Sequence, residues 1–97
     1  MKLHLTPHEY EIVKFILEKY LPNYEVAAFG SRVTVTHKIY SDLDLCVITD
    51  VPLSLMQLAN LREAFSESDL PMRVDIVDWS TLSSDFKKLI KKQMVVI

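Results

Sequence analysis

Two aspartates one residue apart, at the head of an apolar run, set the strongest condition on how this chain can fold. Asp42 and Asp44 flank Leu43 and lead into Leu45, Cys46, Val47 and Ile48. Side chains of a strand alternate faces, so the pair puts both carboxylates on one face and leaves Leu43, Leu45 and Val47 for the core. Two carboxylates aimed the same way repel each other, and near a core they are costly unless something positive lies between them. A hard, oxygen-seeking cation such as Mg²⁺ meets that condition.

Ten residues upstream of Asp42, Gly30-Ser31 follows another apolar stretch. Glycine lets backbone approach a ligand closely, and serine adds a hydroxyl. Backbone N–H groups in the turn that follows can face an anion. Gly30 is the only glycine in 97 residues, where average usage of about 7% predicts roughly seven. Its place therefore points to a position where a side chain does not fit.

Gly-Ser, ten residues, Asp-x-Asp, and then the run Arg73-Val74-Asp75-Ile76-Val77-Asp78-Trp79 together resemble the DNA polymerase beta-like nucleotidyltransferases. The nearest branch is that of the minimal nucleotidyltransferases, antitoxins paired with HEPN-type partners in toxin–antitoxin modules. Gly-Ser or Asp-x-Asp alone would be weak; the combination at this spacing is specific, and the resemblance spans nearly the whole chain. Many relatives carry a small residue soon after Gly-Ser-Arg, whereas Val33, Thr34 and Val35 stiffen that segment here.

The remaining composition narrows the class. The length fits one small domain, residues 1–97, with a modest core. An apolar fraction of 49% and a charged fraction of 25% are those of a globular chain. Net charge is −2, so no overall field draws in nucleic acid and a polymerase-like grip on DNA is not expected. A lone cysteine, Cys46, forms no internal disulfide and suits a reducing compartment. Neither a transmembrane-length run nor a signal-peptide core is present, so cytoplasmic residence is expected.

Taken in order, Thr6-Pro7-His8-Glu9 is a capping box with proline at the first helical position. Ile12, Val13, Ile16, Leu17 and Tyr20 then form a helical stripe ending at Pro22-Asn23. Residues 24–29 predict a first strand and residues 42–49 a second. Residues 32–40 predict a short helix or irregular loop, since Val33 to Thr36 are poor helix formers. Ser54 to Gln57 is a second capping box, continued by Leu58, Leu61 and Phe65. A third strand runs from Met72 or Arg73 to Asp78. A last helix begins between Ser80 and Ser84, with Phe86, Leu89 and Ile90 inward and Lys87, Lys88, Lys91 and Lys92 outward. If Gly30-Ser31, Asp42, Asp44 and Asp75 line one site, strands one and two run antiparallel. Strand three then runs parallel to strand two through a helical crossover. The expected fold is an α/β (α+β) nucleotidyltransferase-type domain, a small mixed sheet flanked by helices.

The resemblance implies transfer of a nucleotidyl group from a nucleoside triphosphate to a hydroxyl, with release of pyrophosphate. It further implies that AMP from ATP goes to a partner protein, at a tyrosine. In-line attack at phosphorus is served by two metals about 4 Å apart. Asp42 and Asp44 are expected to hold the nucleotide-bound metal and share the second, and Asp75 to complete the catalytic metal's shell and accept the attacking hydroxyl's proton. Gly30, Ser31 and Arg32 are expected to bind nucleotide. Carboxylates and triphosphate together exceed two divalent ions by roughly three charges, which Arg32, the N–H groups after Ser31 and Lys38 would offset.

Each assignment has a plainer rival. Asp42 can act as a strand-entry cap, and Asp75 can pair with Arg73 or Arg62. Ser31 can cap a turn, and Arg32 can be solvated. Asp78, on the opposite strand face from Asp75, reads as a turn or cap residue. Cys46 reads as a buried structural thiol, and Trp79 as a packed corner residue. His4, His8 and His37 lack metal-ligand spacing. A module that binds nucleotide and neutralises its partner without turnover is the alternative function, and small-molecule transfer ranks third. With 97 residues leaving no room for an acceptor domain, a HEPN-type partner is expected, and a homo-oligomer is the companion expectation. The apolar tail Val95-Val96-Ile97 either docks on its own domain or joins an interface.

Overall fold

The computed structural model describes residues 2–34 and 41–97. Helix α1 spans Pro7–Tyr20. Its start is fixed by reciprocal bonds: the Glu9 N–H donates to Thr6 Oγ1 at 3.1 Å, and the Thr6 N–H donates to Glu9 Oε1 at 2.9 Å. Val13, Ile16 and Leu17 are buried. Strand β1 is Glu25–Phe29, followed by a 3-10 helix at Gly30–Val33. Strand β2 is Leu43–Ile48, helix α2 is Leu55–Ser66, and strand β3 is Val74–Asp78. A 3-10 turn at Trp79–Thr81 leads to helix α3, Ser84–Lys92, and a two-residue strand β4, Val95–Val96.

The four strands lie in the order β3-β2-β1-β4. As the site argument required, β1 and β2 are antiparallel and β2 and β3 are parallel. Strand alternation then makes two faces. Val26, Ala28, Leu43, Leu45, Val47 and Ile76 form one core with Val13, Ile16 and Leu17 of α1 and Leu61 and Phe65 of α2. The other face carries Ala27 and Cys46, paired in register and fully buried. Helix α3 lies on this second face, where Phe86 meets the Phe29 ring edge-on at 6.0 Å between centroids. Burying a large apolar side chain contributes about 1.5–3 kcal/mol, so the fully buried Leu43, Leu45 and Leu61 are major supports of the sheet.

Several sequence expectations shift. The strands are shorter than expected, and Asp42 precedes β2 instead of opening it. The Leu43 N–H donates to the Arg73 carbonyl at 2.9 Å, so pairing with the third segment begins just after Asp42. The last helix starts at Ser84 because Asp78 caps the intervening 3-10 turn and Ser83 then caps α3. Of its three expected inward residues only Ile90 is buried; Leu89 is 61% exposed and Phe86 sits at the rim. The expected helix or loop over 32–40 is seen only at its 3-10 start, and Lys38 lies outside the described residues. The tail docks on its own domain: β4 pairs antiparallel with β1, and the Ile97 N–H donates to the Val26 carbonyl at 2.9 Å.

Candidate active site

Register builds the site. Asp44 is the Cα partner of Phe29 on one side and of Asp75 on the other. Asp44 and Asp75 therefore point from one face of adjacent strands, and Gly30 follows directly on Phe29. Gly30 has φ +79°, the left-handed region. A Cβ there would overlap Asp44 Oδ2. The only glycine is thus required twice, by backbone conformation and by the approach of the Asp44 carboxylate. The close approach that the sequence led one to expect at Gly30 is made, in the structure, by an aspartate side chain.

Asp42 joins the pair through Arg73. Arg73 Nη2 lies 3.3 Å from Asp42 Oδ2 and 3.5 Å from Asp75 Oδ2. Burial pushes the Asp44 carboxyl above its ordinary value, and the charges of Asp75 and Asp42 push it further; Arg73 opposes them in part. Asp75 and Asp42 therefore both act on Asp44, and the all-oxygen donor set of the three is of the kind a hard cation such as Mg²⁺ takes. Two of them already share one positive nitrogen. Among the described residues no three His, Cys, Asp or Glu are grouped closely enough to hold a metal ion as they stand.

Arg32 is not the solvated residue of the plainer reading. It is only 5% exposed. Its Nε donates to the Ser41 carbonyl at 3.0 Å and its Nη1 to the His4 carbonyl at 3.1 Å. The His4 N–H returns a bond to the Arg32 carbonyl at 2.7 Å. The guanidinium thus ties the N-terminal segment to the residue before Asp42, and these bonds orient it towards backbone carbonyls. Ser31 lies in the 3-10 turn, and its carbonyl accepts from the Thr34 N–H and hydroxyl.

Asp78 is a structural hub, consistent with its reading as a cap. Its Oδ1 accepts from the Thr49 hydroxyl, from the Ser80 N–H at 3.1 Å and from the Ser80 hydroxyl at 2.7 Å. Its Oδ2 accepts from the Leu53 N–H at 2.6 Å. Burial raises its pKa, but the bonds from Thr49, Leu53 and Ser80 outweigh that and hold it below the ordinary value. Cys46 is buried, and burial, with the nearby Asp78 charge, pushes its thiol up to about 11. That is the opposite of an activated nucleophile. Trp79 is half-buried, with Lys87 Nζ 5.4 Å and Lys91 Nζ 5.6 Å from its ring centroid; the lysine row is therefore not wholly a solvated face. Sequence reasoning missed the link from Arg73 to Asp42. The available signal was Arg73 two residues before Asp75, on the same side of the strand.

A carboxylate pair in register across parallel strands thus lies beside a glycine turn at the end of an antiparallel neighbour. Residues 9–97 match the family described as nucleotidyltransferase domain, and the chain belongs to that family. Within it, the chain is of the minimal nucleotidyltransferase branch. It is 52% identical over 96 residues to the probable protein adenylyltransferase MntA of Haemophilus influenzae, covering 99% of this chain and 84% of that one. A mutant MntA–HpeT toxin–antitoxin complex contains a chain 26% identical, with a TM-score of 0.71, over 92% of this chain and 70% of that one. A complex of tri-AMPylated Shewanella oneidensis HEPN toxin with MNT antitoxin contains a chain 25% identical, with a TM-score of 0.64, over 90% of this chain and 66% of that one.

Proposed function

We propose that this nucleotidyltransferase moves AMP from ATP to a hydroxyl of a HEPN-type partner protein and so acts as that partner's antitoxin in the cytoplasm. The observation that carries the reading is the in-register Asp44–Asp75 pair beside Gly30. The relatives support it: one is named a probable protein adenylyltransferase, and another is an MNT antitoxin in complex with an AMPylated HEPN toxin.

Asp42, Asp44 and Asp75 would hold Mg²⁺, which when bound supplies positive charge against the phosphates. The acceptor hydroxyl oxygen forms a bond to the α-phosphorus as the bond to pyrophosphate breaks. Its proton passes to Asp75, which is half-exposed and open to a partner's side chain. Gly30 and Ser31 bring the 3-10 turn's N–H groups towards the phosphates, under a cap residue, Phe29, that has no side-chain oxygen to occupy them. Arg32 serves by positioning: it fixes Ser41, and through it the approach to Asp42.

The test is incubation with labelled ATP, Mg²⁺ and a HEPN-type partner protein. Label on a partner tyrosine is expected, and Asp44→Asn should reduce it at least about 100-fold. Without metal, the mutant should melt no lower than wild type, because it relieves the repulsion that raises the Asp44 pKa. Tight partner binding without label would favour neutralisation by binding alone, and label on a small molecule would overturn the antitoxin reading.

A further inference from the structure

We infer that Arg73 is a resident counter-ion of the acidic site, a positioning residue that holds Asp42 and Asp75 together before metal binds and gives way when it does. This rests on the metal reading above. Arg73 Nη2 bridges the two carboxylates at 3.3 and 3.5 Å. A divalent ion bound by both would lie about 2.1 Å from their oxygens. Two cations that close repel strongly, so the Arg73 bridge and a metal shared by Asp42 and Asp75 exclude each other.

The surroundings favour this role. The Arg73 side chain is 74% exposed, against 41% for Asp42 and 45% for Asp75, so the guanidinium can swing into water at little desolvation cost. Its backbone stays fixed, because its carbonyl accepts the Leu43 N–H. Arg32 cannot take this part, since its buried guanidinium bonds to the carbonyls of His4 and Ser41. Arg73 therefore limits repulsion in the metal-free protein and sets a threshold for metal occupancy.

The direction of the effect separates this role from a merely structural one. An arginine that only braced the carboxylates would, when removed, loosen them and weaken metal binding. A competing counter-ion would, when removed, strengthen it. The strength of two exposed ion pairs corresponds to about three- to tenfold in affinity. Binding of Mn²⁺ alone to the full chain, followed by electron paramagnetic resonance at low ionic strength, is the measurement. R73Q should bind Mn²⁺ about three- to tenfold more tightly than wild type, while R73K, which keeps the charge, should stay near wild type. Metal-free R73Q should melt below wild type, and the gap should close at saturating Mn²⁺. Equal or weaker Mn²⁺ binding by R73Q would overturn the inference and leave the metal reading standing. Failure of wild type and R73Q alike to bind Mn²⁺ would overturn both.

Discussion

Replacing Asp78 by Asn removes a charge from a buried hub while keeping its shape. Wild-type Asp78 accepts from the Thr49 hydroxyl, the Ser80 N–H and hydroxyl, and the Leu53 N–H. The best Asn rotamer keeps its oxygen towards Thr49 and Ser80 and turns its NH₂ on the Leu53 N–H. That leaves one buried donor facing another, at about 1–3 kcal/mol, and the three surviving bonds lose their charge assistance. Relief of burying a charge returns part of this. The net expectation is a loss of about 2–4 kcal/mol, large against the ~5–15 kcal/mol total of a small domain.

The pH dependence gives the sharper check. The folded Asp78 pKa is depressed, so its contribution is fully present above the unfolded value of about 3.9 and is lost as pH falls through the folded value. Asn does not titrate. Urea denaturation of both proteins should therefore show the full gap near neutral pH and a shrinking gap below about pH 4. Other carboxylates titrate in both proteins and cancel in the difference. A gap under about 1 kcal/mol at neutral pH, or one that does not change with pH, would refute the hub assignment.

Two further outcomes follow from the same geometry. Gly30→Ala should cost about 2–4 kcal/mol, because it adds a left-handed backbone penalty to an overlap with Asp44; it should also weaken Mn²⁺ binding, and unchanged stability in a thermal melt would contradict the overlap. Cys46, with its thiol pushed up to about 11, should react with a disulfide reagent near pH 8 at least about a hundredfold more slowly than the same thiol in urea; rapid labelling of the native protein would refute its burial.

The sequence made the topology legible because three site segments had to meet at one end of the sheet. Both capping boxes, the two strand directions and the apolar strand face could be read from local chemistry, and all appear in the structure. Long-range pairings were less accessible. The bond from Arg32 to the His4 carbonyl, 28 residues away, has no local signal around Gly-Ser-Arg. Leu89 fits an inward helical stripe, but α3 is short, meets the sheet through Phe86 and buries Ile90, leaving Leu89 in solvent. The β4 pairing depends on an open β1 edge, which no local pattern of Val95 and Val96 reveals.

The strand directions explain why such a small sheet can concentrate charge at one point. Strand β1 ends where β2 and β3 begin, so the Gly30 turn and the Asp44 and Asp75 carboxylates fall at one edge of the sheet. Reversing any one strand would carry its site residue to the far end, roughly 15 Å away for a five-residue strand. The same arrangement brings like charges together, and the chain answers with three local devices. Gly30 lets Asp44 tuck against backbone, Arg73 bridges its two neighbours, and Asp78 at the opposite end of β3 ties down the exit of β2 through Thr49. The repulsion at one end is thereby held within a sheet whose other end is fastened by hydrogen bonds. On the proposed metal reading the Arg73 bridge is the device that gives way, while the other two stay fixed.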